Sequence, residues 1–385
     1  MAVVIQKPPL WTRLAPWVRG FDGPFLLSVA LLALLGQLVM LSVAFDIEGR
    51  VQDHLRNLLI GAVVMVVVAQ VPPQRLQALA VPAYVVGVLL LVAVELVGVT
   101  RKGAQRWLDL GVMTIQPSEL MKIAMPLILA WWFQRREGRL RALDFAVAAA
   151  LLALPVGLIM LQPDLGTALL VLASGLFVIY FAGLSWMLIV PPLLLGALGA
   201  GVLVVMEPQW CAPGVDWVVL HEYQRQRVCT LLDPTRDPLG KGFHILQGLI
   251  AIGSGGVWGK GFMQGTQTHL DFVPERSTDF IFAALAEEFG LVGVLVLLTA
   301  YGVFIWRGLV LAMEASTLFG RLLAGALILV QFVYAFVNIG MVSGLLPVVG
   351  VPLPFVSYGG TAMVALGASL GLMLSVGRYK RLVPT

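Results

Sequence analysis

The sequence predicts an all-α polytopic membrane protein with about ten transmembrane helices and a large extracytoplasmic loop between helices seven and eight. Three observations predict it. Of 385 residues, 59% are hydrophobic, and 41 glycines raise the apolar share well above the ~45–50% of soluble domains. Charged residues make up only 12%, about half the usual share, too few to cover the surface of a soluble fold. The apolar residues also gather into runs near the ~20 residues that a bilayer-spanning helix needs. This composition excludes a soluble enzyme, a disordered chain and a disulfide scaffold. The net charge of +4 comes with no basic tract and no RNP-type motif, so no nucleic-acid partner is expected.

The first run, Phe25–Ala44, is unbroken and has no small-residue cleavage site after it, so it reads as a span rather than a signal peptide. Leu55–Val71 and Leu79–Val97 follow. Leu120–Phe133 is short, and counts as a span because a charged turn bounds each end. Phe145–Leu161, Leu165–Phe181 and Met187–Met206 bring the count to seven, and Phe280–Trp306, Leu322–Val342 and Phe355–Val376 complete ten. No internal repeat is evident, which argues against an inverted-repeat transporter.

An even number of spans puts both termini on one side. With the N-terminus inside, short cytoplasmic segments carry 13 basic residues against six outside, which favours cytoplasmic N- and C-termini. The outer six are Arg50, Arg56, Arg101, Lys102, Arg106 and Lys122. Four of them cluster around one outer loop against the rule, which points to a function. Arg56 is included among the substrate-binding candidates.

The whole chain, residues 1–385, reads as one transmembrane domain, and residues 207–277 form an extracytoplasmic loop within it. That loop holds 13 of the 46 charged residues, and unstructured loops of such length are uncommon without a purpose. Its apolar stretch, Phe243–Ile252, sits among glycines and reads as an amphipathic segment lying on or re-entering the membrane face. Cys211 and Cys229 both fall in the loop. They form either a disulfide closing a short loop or two free thiols.

Chemistry is expected first at Pro274-Glu275-Arg276-Ser277-Thr278-Asp279, at the mouth of span eight. A carboxylate there is costly to desolvate unless it is paired or lines a wet cavity. Capping a helix would explain Asp279 alone, but not the cluster with Glu275 and Arg276. For Glu287 and Glu288 an internal polar bridge is the better reading. In Gln116-Pro117-Ser118-Glu119-Leu120-Met121-Lys122, Glu119 and Lys122 share a helix face as an ion pair. With Arg101, Lys102 and Arg106 they form either an interfacial anchor or a cationic pocket for an anion such as a pyrophosphate. Asp164 in Gln162-Pro163-Asp164-Leu165-Gly166-Thr167 is an ordinary cap on its own and a pocket candidate in this company. Gln331 and Asn338 read as interhelical hydrogen-bond glue.

Other chemistries find no support. Gly259-Lys260-Gly261 lacks the P-loop pattern, the four histidines lack metal-ligand spacing, and there is no nucleophile elbow. No metal site is expected.

The C-terminal stretch from Asn338 through Gly344-Leu345-Leu346-Pro347-Val348-Val349-Gly350-Val351-Pro352-Leu353-Pro354-Phe355-Val356-Ser357-Tyr358-Gly359-Gly360-Thr361-Ala362 resembles the signature of the SEDS family, the shape, elongation, division and sporulation proteins. The Asp279, Gln116–Lys122 and Gln162–Thr167 segments resemble family motifs in the same order, so the similarity covers nearly the whole chain. Gly265-Thr266-Gln267 and the Glu275-Arg276 pair resemble the elongation branch rather than the division branch. Ser277 stands where relatives often have His, and the cysteine-bearing insert is not general to the family.

The resemblance implies polymerisation of lipid II into peptidoglycan glycan strands at the periplasmic side of the bacterial inner membrane, during elongation and rod-shape maintenance. It also implies a class B penicillin-binding transpeptidase as partner, within the MreB, MreC and MreD machinery. The leaving group of that reaction, undecaprenyl pyrophosphate, needs cations more than a general acid, and Lys122, Arg106 and Arg101 are placed to supply them. The acceptor hydroxyl needs one base, for which Asp279 is the choice. Glu119 would orient Lys122, while Glu275 and Asp164 would shape the pocket. An α-linked donor giving a β-linked product implies a single inverting displacement. No cofactor is named, and a divalent cation such as Mg2+ at the pyrophosphate is left open. A lipid II flippase and a non-catalytic scaffold for the transpeptidase are the alternatives.

Overall fold

The computed structural model describes residues 17, 20–101, 104–109, 111, 114–212, 215, 222–236, 240–270, 272–273 and 275–379. Seven long helices come first: α1 (Gly23–Val43), α2 (Arg50–Val68), α3 (Pro73–Val97), α4 (Pro117–Gln134), α5 (Ala142–Leu161), α6 (Leu165–Phe181) and α7 (Trp186–Trp210). Short helices α8 (Glu222–Leu232), α9 (Lys241–Ser254) and α10 (Thr266–His269) form the loop region. The last three are α11 (Ile281–Met313), α12 (Leu318–Val342) and α13 (Gly360–Arg378). Each of the ten long helices overlaps one of the ten expected spans.

Eight helices among the described residues are long and apolar enough to cross a membrane. The two that fall short are α4, with Glu119 and Lys122 in its first turns, and α6, with 17 residues. Both are enclosed: α4 packs on α3, α6 and α12, and α6 packs on α4, α5 and α12. A helix surrounded by protein meets little lipid, so it is released from the length and hydropathy that a lipid-facing span requires. At the centre stands α12, buried along most of its length, whereas α7 at the periphery buries none of its span.

Trp17 and Asp22 meet Gln70, Arg307 and Arg378 at one end of the bundle. Gln70 donates to the Trp17 carbonyl at 2.9 Å, Arg378 donates to Gln70, and Arg307 on α11 pairs with Asp22 at 2.5 Å. Gln134 at the end of α4 accepts from the Phe319 amide at 2.8 Å at the start of α12.

Two spans differ from the sequence expectation. The last begins at Gly360 rather than Phe355, because residues 352–359 run as an extended segment folded into the bundle, with Leu353, Val356 and Ser357 buried. Span eight is interrupted at Gly290, where φ is 63° and ψ −161°. The freed backbone groups are not left bare. The Leu291 and Val292 amides donate to the Gly256 and Val257 carbonyls, and the Lys260 and Gly261 amides donate to the Glu287 and Glu288 carbonyls, all at 3.0–3.1 Å. The glycine-rich turn after α9 is therefore inserted into the break, where a side chain on Gly290 would strike the Val257 carbonyl. The stretch expected to be amphipathic is α9, packed on α11 and α12.

Between α3 and α4 lies an antiparallel sheet absent from the sequence reading: β1 (Val99–Arg101), β2 (Ala104–Asp109) and β3 (Thr114–Ile115), in that order. Cys211, at the C-cap of α7, is bonded to Cys229 on α8, with Cα atoms 5.7 Å apart.

Candidate active site

Asp279 ends a tight turn that opens α11. The Thr278 and Phe280 amides both donate to the Glu275 carbonyl at 3.1 Å, and the Thr278 hydroxyl donates to Glu275 Oε2 at 2.7 Å. Glu275 thus shapes this turn.

The segment from Gly344 to Gly360 wraps around it. Tyr358 donates its amide to the Ser277 carbonyl at 2.8 Å, and the Ser357 hydroxyl donates to the Thr278 carbonyl at 2.6 Å. Asn338 on α12 is wholly buried and splits its amide between the Asp279 carbonyl at 3.0 Å and the Val351 carbonyl at 2.7 Å. One side chain on α12 therefore sets the turn and the wrapping segment against each other. Gly350 has a φ of 73°, and a Cβ there would stand 3.4 Å from Asp279 Oδ2. The backbone conformation favours glycine at this position, and a Cβ there would rest in ordinary contact with the carboxylate.

Gly350 also lines a cavity of about 360 Å³ ringed by Arg106, Gln116, Glu119, Lys122 and Asp164. The same glycine therefore faces the expected cationic pocket and the Asp279 carboxylate. Lys122 is 6% exposed, and its ammonium donates to Glu119 Oε1 at 2.6 Å and to the Tyr334 hydroxyl. An ammonium carries three donors, so one remains for the cavity. Glu119 holds Lys122 through one oxygen, while its Oε2 is buried without a hydrogen-bond partner.

Asp164 serves both readings open to it. Its Oδ1 accepts from the Thr167 amide at 3.2 Å, capping α6, and lies 3.7 Å from Arg106 Nη1. Its Oδ2 accepts from Gln116 Nε2 at 3.1 Å. Arg106 is further fixed by the Pro163 carbonyl at 2.5 Å and the Gln162 carbonyl at 3.4 Å. These partners aim a charge that is already bound in place, the arrangement that binds an anion with little reorganisation.

The structure thus brings Lys122, Glu119, Arg106 and Asp164 together and sets Asp279 against their shared glycine. Arg56 is not brought in: it pairs with Asp53 at 2.9 Å and its side chain is 64% exposed. Arg101 lies on β1, and its side chain, like the whole of Lys102, lies outside the described residues. Glu287 is fully buried and accepts from Lys260 Nζ at 2.6 Å, from the Gln267 and Thr268 amides and from the Thr268 and Thr266 hydroxyls. Glu288 accepts from the Ser42 hydroxyl at 2.5 Å. Both carboxylates bind the helix break to its neighbours, as an internal polar bridge.

Sequence reasoning missed Gln116 and Trp107 as cavity residues and Tyr334 as a partner of Lys122. For Tyr334 a signal existed, since Gln331, Tyr334 and Asn338 lie at helical spacing on one face of α12. Gln116 opens the Gln116–Lys122 segment but is given no role there. For metal binding, no group of three His, Cys, Asp or Glu converges among the described residues. A hydrated Mg2+ held through one cavity carboxylate and the ligand's own phosphates fits this donor set, whereas a protein cage does not.

Comparison with known proteins gives a consistent picture. The FtsW/RodA/SpoVE family model, described as cell cycle protein, matches residues 24–382. The chain is 48% identical to the peptidoglycan glycosyltransferase MrdB of Escherichia coli strain K12, over 98% of each. A chain from a solved peptidoglycan synthase complex that coordinates polymerization and crosslinking superposes with a TM-score of 0.77 at 34% identity, covering 94% of this chain and 99% of that one. The crystal structure of the rod shape determining protein RodA of Thermus thermophilus superposes with a TM-score of 0.69 at 29% identity, covering 96% and 100%.

Proposed function

The chain belongs to the FtsW/RodA/SpoVE family of cell cycle proteins, and on that premise we propose that it is a peptidoglycan glycosyltransferase that polymerises lipid II into glycan strands. The observation that carries the reading is the shared position of Gly350, between a cavity furnished with fixed cations and the Asp279 carboxylate.

The chemistry divides between the two sides of that glycine. Arg106 and the free donor of Lys122 bind the pyrophosphate and stabilise the charge that grows on it as the glycosidic C–O bond breaks. Asp279 accepts the proton of the incoming sugar hydroxyl as that oxygen bonds to the anomeric carbon from the opposite face. The displacement inverts the centre in one step, and undecaprenyl pyrophosphate leaves. Glu119 and Asp164 hold the two cations in place, and Glu275 holds the turn that carries Asp279. A hydrated Mg2+ on the phosphates would add to the charge already supplied by the protein.

The protein is a multi-pass protein of the bacterial inner membrane. The distribution of basic residues supports cytoplasmic termini and a periplasmic site, since Glu119 and Lys122 on α4 and Asp279 before α11 lie at the opposite ends of those helices from Gln134 and from Arg307, which pairs with Asp22. Its partner in this reading is a class B penicillin-binding transpeptidase, within the elongation machinery of MreB, MreC and MreD. The buried Glu287 is held by Lys260 and the Gln267 and Thr268 amides, and Glu288 Oε1 by Ser42, so these contacts support a structural bridge at the helix break rather than the polar crossing path of a flippase.

The test is polymerisation of labelled lipid II in detergent, where no sidedness exists, by the purified protein with its transpeptidase partner. The expected result is glycan polymer. Absence of polymer, together with lipid II movement in proteoliposomes, would overturn the proposal in favour of transport.

A further inference from the structure

Arg106 and Trp107 are successive residues of β2, and a regular strand would turn them to opposite faces. Yet both line the cavity. The register explains how: Arg101 pairs with Ala104 and Thr100 with Gln105, but Val99 pairs with Trp107, so Arg106 and Trp107 together oppose Val99. This is a β-bulge, which inserts one residue into a strand and re-aims the side chains beside it. Without the extra residue, one of the two would point away from the site.

In the proposed reading Arg106 holds phosphate. Trp107 is the one aromatic ring among the described residues lining the cavity, where the polar groups of Arg106, Gln116, Glu119, Lys122 and Asp164 stand beside the apolar Leu170, Val351 and Pro352. A pyranose ring offers one face of C–H bonds, which suits the electron-rich face of an indole, and a rim of hydroxyls, which suits the polar groups around it.

We propose that Trp107 is a saccharide platform, on which the sugar ring next to the pyrophosphate stacks while Arg106, its neighbour in the bulge, holds the phosphates. The inference rests on the reading of the cavity as a site for a lipid-linked sugar pyrophosphate. It adds a device that recognises the sugar and fixes its distance from the phosphates, through two side chains on one rigid turn of strand.

The test compares two lipids that share a pyrophosphate and differ in sugar. Binding of lipid II and of undecaprenyl pyrophosphate to the full-length protein in micelles is measured for wild type, Trp107→Phe, Trp107→Ala and Arg106→Gln. The expected result for Trp107→Ala is about tenfold weaker binding of lipid II, with undecaprenyl pyrophosphate unchanged. Trp107→Phe should recover most of the loss, and Arg106→Gln should weaken both lipids. Trp107→Ala that binds lipid II as wild type does, or that loses both lipids alike, overturns the platform. Failure of the wild type to prefer either lipid over a neutral polyprenol would instead sink the reading of the cavity itself.

Discussion

Tyr334, near the middle of α12, accepts a hydrogen bond from the Lys122 ammonium of α4, whose charge centre also lies 5.0 Å from the tyrosine ring centroid. The contact ties the most deeply enclosed helix of the bundle to the cation that faces the cavity. Removing the hydroxyl leaves Lys122 with Glu119 alone and frees it to turn. Tyr334→Phe is expected to lower kcat for glycan polymerisation about tenfold, with a stability loss of ~1.5–3 kcal/mol for a hydrogen bond to a charged group. Polymerisation rate and thermal unfolding in detergent, measured on the same preparation, check both parts.

The Lys122–Glu119 pair gives a second expectation, because both side chains are largely buried. Lys122→Met strands a carboxylate in a protein interior and should cost ~3–5 kcal/mol. Adding Glu119→Gln removes the stranded charge, so the double variant should regain much of the melting temperature. Neither variant should regain polymerisation, since the phosphate-facing cation is gone. Recovery of activity in the double variant would show that the pair is purely structural.

Gly350→Ala should act on the backbone and on the site together. A φ of 73° costs a residue with a Cβ ~1–2 kcal/mol, and here the new methyl group would also meet Asp279 Oδ2. The expected outcome is a small drop in melting temperature and a loss of polymerisation of at least about tenfold, larger than the stability change accounts for. Lipid II binding should fall less than turnover.

The helix break predicts the opposite pattern. Lys260→Ala leaves Glu287 buried with its hydrogen bonds from the Thr266–Thr268 region but without its cation. A loss of ~3–5 kcal/mol is expected, visible as a lowered melting temperature. Glu287→Gln in the same background should restore part of it. Polymerisation at a temperature where the variant stays folded should be little changed.

Much of this was written in the sequence, and the rest was not for physical reasons. The ten spans follow from apolar runs, since lipid forces every backbone group to be satisfied within a helix. The Lys122–Glu119 pair follows from spacing within one helix, and Asp279 from the cost of a carboxylate at a helix mouth. What could not be read is what long-range backbone pairing decides. The bulge at Arg106 depends on strand register, and the break at Gly290 on a turn some thirty residues upstream that satisfies its amides. The last span starts late because Ser357 and Asn338 hold the preceding segment in place, which no hydropathy window registers. Arg56, a substrate-binding candidate, pairs instead with Asp53 three residues away, a contact between exposed side chains outside the cavity.

The central claim is that Asp279 takes the proton of the attacking hydroxyl beside the cationic cavity. Its most direct test is Asp279→Asn, assayed with labelled lipid II and the transpeptidase partner in detergent. The variant should bind lipid II as the wild type does and lose polymerisation by a factor on the order of 100 to 10,000, the range of general base catalysis. Polymer formed by Asp279→Asn at a rate within a few-fold of wild type would contradict the account.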